Sequence, residues 1–528
     1  MFFVIDGRNL VKNTQFRPII SVVLAKKAEK FQFPPDNICV IKKKVLPLQR
    51  KSKTTIIMIG RQNETTQLQE FLESGKPEFI ALYGRRRVGK TFLVNQFFNN
   101  QFALSITGVI GGGRAEQMSA FVQGLRDLGY VDAAPKTWMD AFYELSKLLE
   151  AKMTSGNRCV IFIDELPCFD TPKAGFVRAL GHFWNSWGQK YKEVMLIVCG
   201  SATSWMIKNI IDNHGGLHNR ITHEMHLHPF TLCETEQMLQ SKNISWDRLS
   251  VTQIYMALGG IPYYLDMIKR DDSVASAMDR LFFSKDGGMA DEYNRLFSSL
   301  FNNPAPYLEI LRALSSSAQG ITREQILKLT SMPDNGHVSE YLSNLIKCDF
   351  VRYYYVKNKK IKKTDGLYQL TDFFTIFYNT FLSKPITNEH YWSNNLNTPS
   401  MNTWLGLAFE RVCMAHIPQI KKAIGIDQIG TEYYSWRSND SQQGAQVDLL
   451  IERADRIINL CEIKYSTGPY AIDKEEDMKF RIRQSAFVAQ TGTRYGIQPT
   501  IISPYGLARN TYYYTMQKVI TLDDLFQE

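Results

Sequence analysis

Three groups of residues have the types and spacing for chemistry. The first is GRRRVGKT (Gly84–Thr91), which has the form G-x-x-x-x-G-K-T and sits between the apolar run EFIALYG and the helically spaced FLVNQFF. Gly84 and Gly89 let backbone N–H groups curl around phosphates, and a helix starting near Lys90 adds its positive N-terminal dipole. Lys90 would reach the β- and γ-phosphates of ATP, and the Thr91 hydroxyl would hold Mg²⁺. Arg85, Arg86, Arg87 and Val88 fill the variable positions. Backbone amides do most of the cradling there, so the arginine side chains are expected to brace the loop against acids or DNA. The second group is CVIFIDE (Cys159–Glu165), an apolar strand ending in two carboxylates. Asp164 would join the Mg²⁺ shell and Glu165 would polarise the attacking water. Ser201 closes a similar strand, VMLIVCGS, and is placed to sense the γ-phosphate. The third group is Asp448, Glu462 and Lys464 in VDLLIERADRIINLCEIKYS (Val447–Ser466). Glu462 and Lys464, two apart on a strand, share a face, and Asp448 can reach that face across a hairpin. Two carboxylates there can hold Mg²⁺ against a scissile phosphate. D-x₁₃-E-x-K is a loose pattern, and a hairpin with solvated charges is the plain alternative.

The elements that must position these residues can be read along the chain. Several apolar strands delivering their C-terminal ends to one nucleotide predict a parallel α/β core. From Pro304 three helical patterns appear: YLEILRALS, ITREQILKLT with a Thr cap, and HVSEYLSNLIKCDFV. Two strands around the basic turn KNKKIKK (Lys357–Lys363) follow, so the segment is expected to be a winged helix that contacts DNA or packs between neighbours. YQLTDFFTIFYNTFL (Tyr368–Leu382) is read as an aromatic core segment and SKPITNEHYWSNNLNTPS (Ser383–Ser400) as a polar linker. After them WLGLAFERVCMAHI reads as a helix carrying Glu410, followed by three strands, a helix and a strand. Arg481, Arg483 and Gln484 on that last helix are candidates for DNA-backbone contacts.

YGRRRVGKT, FIDELP, CGSATSWM and LGGIPYYL, in this order, resemble the archaeal-type AAA+ ATPases, which are close to the STAND and origin-recognition P-loop ATPases. The resemblance runs from Met58 to the C-terminus. It implies that GGIP marks a helical lid with Pro262 near the adenine. It also implies that Arg220 can act as a finger toward the γ-phosphate, in cis or from a neighbouring subunit, which leaves a homo-oligomer open; a surface salt bridge is the alternative. The αβββαβ order of the tail resembles the PD-(D/E)XK nuclease superfamily, in which Glu410 matches the accessory acid of the metal site beside Asp448 and Glu462. The expected fold is thus multidomain α/β. Residues 58–232 form the ATPase core, 233–303 the lid, 304–382 the winged helix, 383–400 a linker and 401–528 the nuclease-like domain.

The net charge of +10 is concentrated at one end: residues 1–57 hold 12 Lys/Arg and 3 Asp/Glu. That extension matches nothing in the resembled family, so it is read as a flexible arm or as the product of a start assigned too far upstream. No apolar run approaches the ~20 residues of a membrane span. The eight cysteines show no C-x-x-C pair and read as buried, reduced thiols of a cytoplasmic protein. Two functions stay in view. One is an ATPase using ATP and Mg²⁺ that controls a DNA-binding, DNA-cutting C-terminal half. The other is a STAND-like switch or scaffold whose tail binds a partner without cutting.

Overall fold

The computed structural model describes residues 58–153, 156–301, 303–354, 366–383, 386–438 and 445–528. The basic extension and the basic turn at 357–363 lie outside them. Among the described residues no helix is long and apolar enough to cross a membrane.

β1 (Glu78–Tyr83), β2 (Leu104–Thr107), β3 (Cys159–Asp164), β4 (Val194–Gly200) and β5 (His223–His226) form a parallel sheet in the order β2-β3-β4-β1-β5. β3 and β4 are buried along their whole length. A sheet covered on both faces needs apolar residues at every position, so these strands read as unbroken hydrophobic runs. Helices Arg114–Asp127, Trp138–Lys152 and Phe176–Ser186 cover one face, where Phe121, Trp138, Phe142 and Phe176 pack edge to face and Phe183 leans on Phe142.

Helices Leu232–Ser241, Arg248–Leu258, Pro262–Asp266 and Met289–Leu300 follow. Gly259 ends the second of them in the left-handed conformation, φ 68°. Gly260 has no room for a side chain: a Cβ there would lie 2.2 Å from the Phe230 carbonyl oxygen. Pro262, at the first helical turn, starts the next helix. GGIP is therefore a breaker between two helices, as its residue types require.

Helices Ala305–Leu314, Arg323–Thr330 and Gly336–Lys347 come next. The Thr322 hydroxyl caps the second by accepting the Gln325 N–H, and the Asn335 side chain caps the third. β6 (Ile321–Thr322), β7 (Val351–Tyr354) and β8 (Leu367–Leu370) pair antiparallel in the order β6-β8-β7. The helix Phe373–Phe377 then buries its aromatic residues. Its Phe377 meets Trp392 and Trp404, and all three are buried. Trp392 belongs to a helical turn, Tyr391–Asn395, inside the stretch expected to be a linker. One buried indole outweighs a polar neighbourhood, and the Asp279 carboxylate accepts the Trp392 and Ser393 N–H groups.

Helix Pro399–Ala415 leads into a mixed sheet of β9 (Thr431–Arg437), β10 (Gln446–Arg453), β11 (Ile457–Ile463), β12 (Gly496–Ile502) and β13 (Lys518–Ile520). The order is β13-β12-β11-β10-β9, antiparallel from β9 to β11 and parallel from β11 to β13. Helix Lys474–Thr491 joins β11 to β12. One apolar cluster runs from Leu68 and Ile80 beneath the first sheet, through the helices, to Leu449 and Cys461 on β10 and β11 and on to Phe526. The seven described cysteines are free, and Cys159, Cys199 and Cys461 are buried.

Candidate functional site

The phosphate loop folds where its glycines allow. Gly84 has φ 140°, and a Cβ there would lie 2.3 Å from the Leu227 carbonyl oxygen, so only glycine fits. Gly89, at φ 91°, opens helix Lys90–Phe97. Lys90 is buried, and its Nζ donates to the carbonyls of Gly84 and Arg85, each at 2.8 Å. Burial holds its pKa below the ordinary lysine value. Val88 is buried beneath the loop.

The acids at the end of β3 face this helix. Thr91 Oγ1 donates to Asp164 Oδ2 at 2.7 Å. A hydroxyl and a carboxylate converging in this way are the donor set a Mg²⁺ ion requires. Glu165 takes a left-handed conformation, φ 46° and ψ 46°, costly for a non-glycine residue and characteristic of functional turns. Ser201 Oγ donates to Glu165 Oε1 at 2.8 Å. The hydroxyl expected to sense the γ-phosphate is thus also placed to orient this carboxylate.

Two of the three loop arginines brace against acids, as expected. Arg85 is buried and pairs with Asp372, with its guanidinium 4.8 Å from the centre of the Phe350 ring. Asp372 also caps helix Phe373–Phe377, accepting the Thr375 N–H at 2.9 Å. Arg87 pairs with Glu292, which also accepts the Tyr264 hydroxyl at 2.9 Å, and it lies 4.2 Å from the Tyr263 ring centre. Half-buried Arg86 makes no ion pair among the described residues. Pro262 is half-buried beside Tyr263, and Arg220 is exposed on the turn before β5.

Arg61 escaped the sequence reading. It is buried and donates from Nη2 to the Val88 carbonyl at 3.0 Å and to the His228 carbonyl at 2.8 Å. Its own N–H donates to Glu234, on the first helix after the sheet. Before a helix an arginine carries little signal beyond a local partner, here Glu64, whose Oε1 lies 3.3 Å from its Nη1. The Gly-Arg step in MIGRQNE was the available hint.

The comparisons bear on this region. Residues 58–268 match a family described as an ATPase domain predominantly from Archaea. They are an ATPase domain of that family. An uncharacterized protein of Methanocaldococcus jannaschii is 23% identical over 368 residues, covering 69% of this chain and 78% of its own length. An uncharacterized ATP-binding protein of the same organism is 39% identical over 46 residues, 9% of this chain and 78% of its own length. Among solved structures, a Walker-type ATPase of Pyrococcus abyssi aligns with 18% identity and a TM-score of 0.45, over 64% of this chain and 99% of that one. The Aeropyrum pernix ORC2 protein aligns with 14% identity and a TM-score of 0.38, over 62% and 95%.

Beyond the ATPase domain the acids of the tail also converge. The pairing of Leu449 with Cys461 carries Asp448 opposite Glu462 on one face of the hairpin. Glu410 reaches the same place from helix Pro399–Ala415. Burial, then the charges of Asp448 and Glu462, push its carboxyl up to about 8. Burial also raises Asp448, whose Oδ1 accepts the Gln446 side-chain amide at 2.8 Å. Crowded carboxyls of this kind are a donor set for a divalent cation. Yet Glu462 already holds two cations: Lys464 Nζ at 3.0 Å and Arg483 Nη1 at 2.6 Å. The donor atoms of the three carboxylates do not all come within 4.8 Å of one another. Arg483 therefore serves the acidic site rather than reaching outward, and Arg481 pairs with Asp477 on its own helix at 2.8 Å.

Asp448 and Glu410 open onto a cleft of about 760 Å³. Lys328 and Arg352 line it from the middle segment, and Arg411 and Arg437 from the tail. Glu462, Lys464 and Arg483 line a smaller hollow of about 130 Å³.

Proposed function

We propose that the chain couples the nucleotide state of its ATPase domain to a DNA-binding, Mg²⁺-dependent DNA-cleaving C-terminal half. On this reading residues 58–232 are the ATPase core and 233–303 the lid. Residues 304–382 are a winged helix, 383–400 a connector and 401–528 a PD-(D/E)XK-type nuclease domain.

The observation that carries the proposal is the cleft shared by the middle segment and the tail. Its acids lie on the tail, and its cations come from both sides. Basic walls attract the phosphate backbone, while the acids supply a cation site inside the groove. Asp448 and Glu410 in the cleft, with Glu462 across the hairpin, would hold Mg²⁺, and Lys464 would stabilise charge developing on the scissile phosphate. Bound there, Mg²⁺ would lower the pKa of its water and neutralise phosphate charge. In the ATPase domain Lys90 would neutralise the β- and γ-phosphates, Thr91 and Asp164 would hold the nucleotide's Mg²⁺, and Glu165, oriented by Ser201, would take a proton from water. The Arg85–Asp372 pair supports coupling, because it ties the phosphate loop directly to the helix that follows the winged helix.

One observation favours a second reading, a STAND-like switch whose tail binds without cutting: both oxygens of Glu462 are already held by cations. A cleavage assay with Mg²⁺ or Mn²⁺ on linear, single-stranded and branched DNA, with and without ATP, separates the two. Metal-dependent nicking by the native protein, lost in Glu462→Gln while ATP turnover persists, supports the nuclease. DNA retained without cleavage favours the switch, and nicking unchanged in Glu462→Gln removes the acidic site from the mechanism.

A further inference from the structure

We propose that His226, His228 and Asp349 form a binding site for a divalent transition-metal ion of the Zn²⁺, Co²⁺ or Ni²⁺ class, where the ATPase sheet meets the middle segment. His226 ends β5, and its neighbour Leu227 donates its N–H to the Tyr83 carbonyl at 2.8 Å. His228 is two residues on, so both imidazoles project to one side of an extended segment. Asp349 comes from the turn after helix Gly336–Lys347, where its N–H donates to the Ile346 carbonyl.

The three donor atoms lie within 4.8 Å of one another. Asp349 Oδ2 is 2.9 Å from His226 Nε2 and 3.4 Å from His228 Nδ1. With metal–ligand bonds of about 2.0–2.1 Å, these separations subtend roughly 90° and 110° at a common ion, within the range of such sites. His226 Nε2 and Asp349 Oδ2 are shut off from solvent, and the imidazole and carboxylate atoms that meet here are the ones an ion would use as donors.

The imidazole centres are only 3.9 Å apart, and Tyr83 stacks on His226 at 4.8 Å, fixing its plane. Two imidazoles this close to one carboxylate are a donor set of the kind a metal selects. Imidazole nitrogen with one carboxylate suits Zn²⁺ and its neighbours better than Mg²⁺. His228 is 61% exposed, so the ion can enter from solvent, and water completes its coordination. A bound ion would clamp the segment whose Leu227 carbonyl walls Gly84 to the corner ahead of β7. The proposal does not depend on the DNA-cleaving reading.

The test is titration of the full chain with Co²⁺, without nucleotide, followed by visible d–d absorption, with bound Zn²⁺ counted in parallel by elemental analysis. One equivalent with the band intensity of nitrogen-containing, low-coordinate Co²⁺ is expected. His226→Ala and His228→Asn should each weaken binding at least tenfold, and Zn²⁺ should raise the Tm of the native protein but not of His228→Asn. If His226→Ala fails to fold, His228→Asn keeps the test, since that side chain is mostly exposed. Equal affinity in His228→Asn, or loss of the Co²⁺ bands only in Asp448→Asn, overturns the assignment.

Discussion

The phosphate loop and the acidic cluster of the tail are opposite solutions to placing charge. In the loop, eight consecutive residues make the cradle, and backbone geometry alone fixes most of it. In the tail, Glu410, Asp448, Glu462 and Lys464 come from one helix and two strands, and their placement depends on the register of a hairpin. The difference extends to electrostatics. Lys90 is buried on two carbonyl oxygens, free of any carboxylate among its hydrogen bonds. Glu462 is held by two cations. The lysine of the contiguous motif is held by carbonyl dipoles while two of its neighbouring arginines take carboxylates, whereas the dispersed acidic cluster draws its counter-charges onto Glu462 itself.

The sharpest way to break this comparison is to disable one site and read the other. Lys90→Ala should lower ATP turnover about a thousandfold, on the order of 4 kcal/mol, in a phosphate-release assay, with DNA affinity retained. Glu462→Gln should do the reverse, leaving ATP turnover within about twofold while abolishing metal-dependent nicking. A variant that disables both would mean the two sites are one cooperative unit. Next in size is the tether between them. Asp372→Asn leaves Arg85 buried beside a neutral partner and should cost about 3 kcal/mol in denaturant unfolding.

A pH experiment sharpens the comparison where helix Leu232–Ser241 meets helix Pro399–Ala415. The His416 side chain accepts the Leu232 N–H at Nε2, 3.0 Å, and contacts the Val412 carbonyl through Nδ1, 2.8 Å, which fixes a neutral ring. Burial pushes its pKa down to about 4. The unfolded chain takes up a proton near 6.5, so the folded state loses stability as the pH falls from there toward 4, by up to about 3 kcal/mol. Thermal melts from pH 7 to 4 should show this fall, and His416→Gln should flatten it. The smallest effect belongs to Ser201→Ala. Losing one hydrogen bond to Glu165 should lower kcat about tenfold, with the KM for ATP little changed.

What could be read from the residues follows the same contrast. GRRRVGKT, the strand preceding it and the carboxylates closing β3 were legible because each is a local pattern with a local cause. Asp448 opposite Glu462 was legible because strand pairing obeys a period of two. The Arg85–Asp372 pair was not, since 287 residues separate the partners and no spacing rule links them. Arg61 was missed for a related reason: apart from its pair with nearby Glu64, its contacts are to the distant Val88 and His228 carbonyls, Glu234 and the Phe230 ring. His226, His228 and Asp349 meet only once the middle segment packs on β5. The polar stretch around Trp392 misled because composition averages over a window, while burial is decided by a single indole.

The apolar cluster that passes from Ile80 to Phe526 without interruption bears on inheritance. Recombination that moved the ATPase domain to another tail would take Tyr255 from Phe373 and Tyr264 from Phe374 and so uncover part of that cluster. The segment that shares one apolar core is therefore longer than the segment that defines the ATPase.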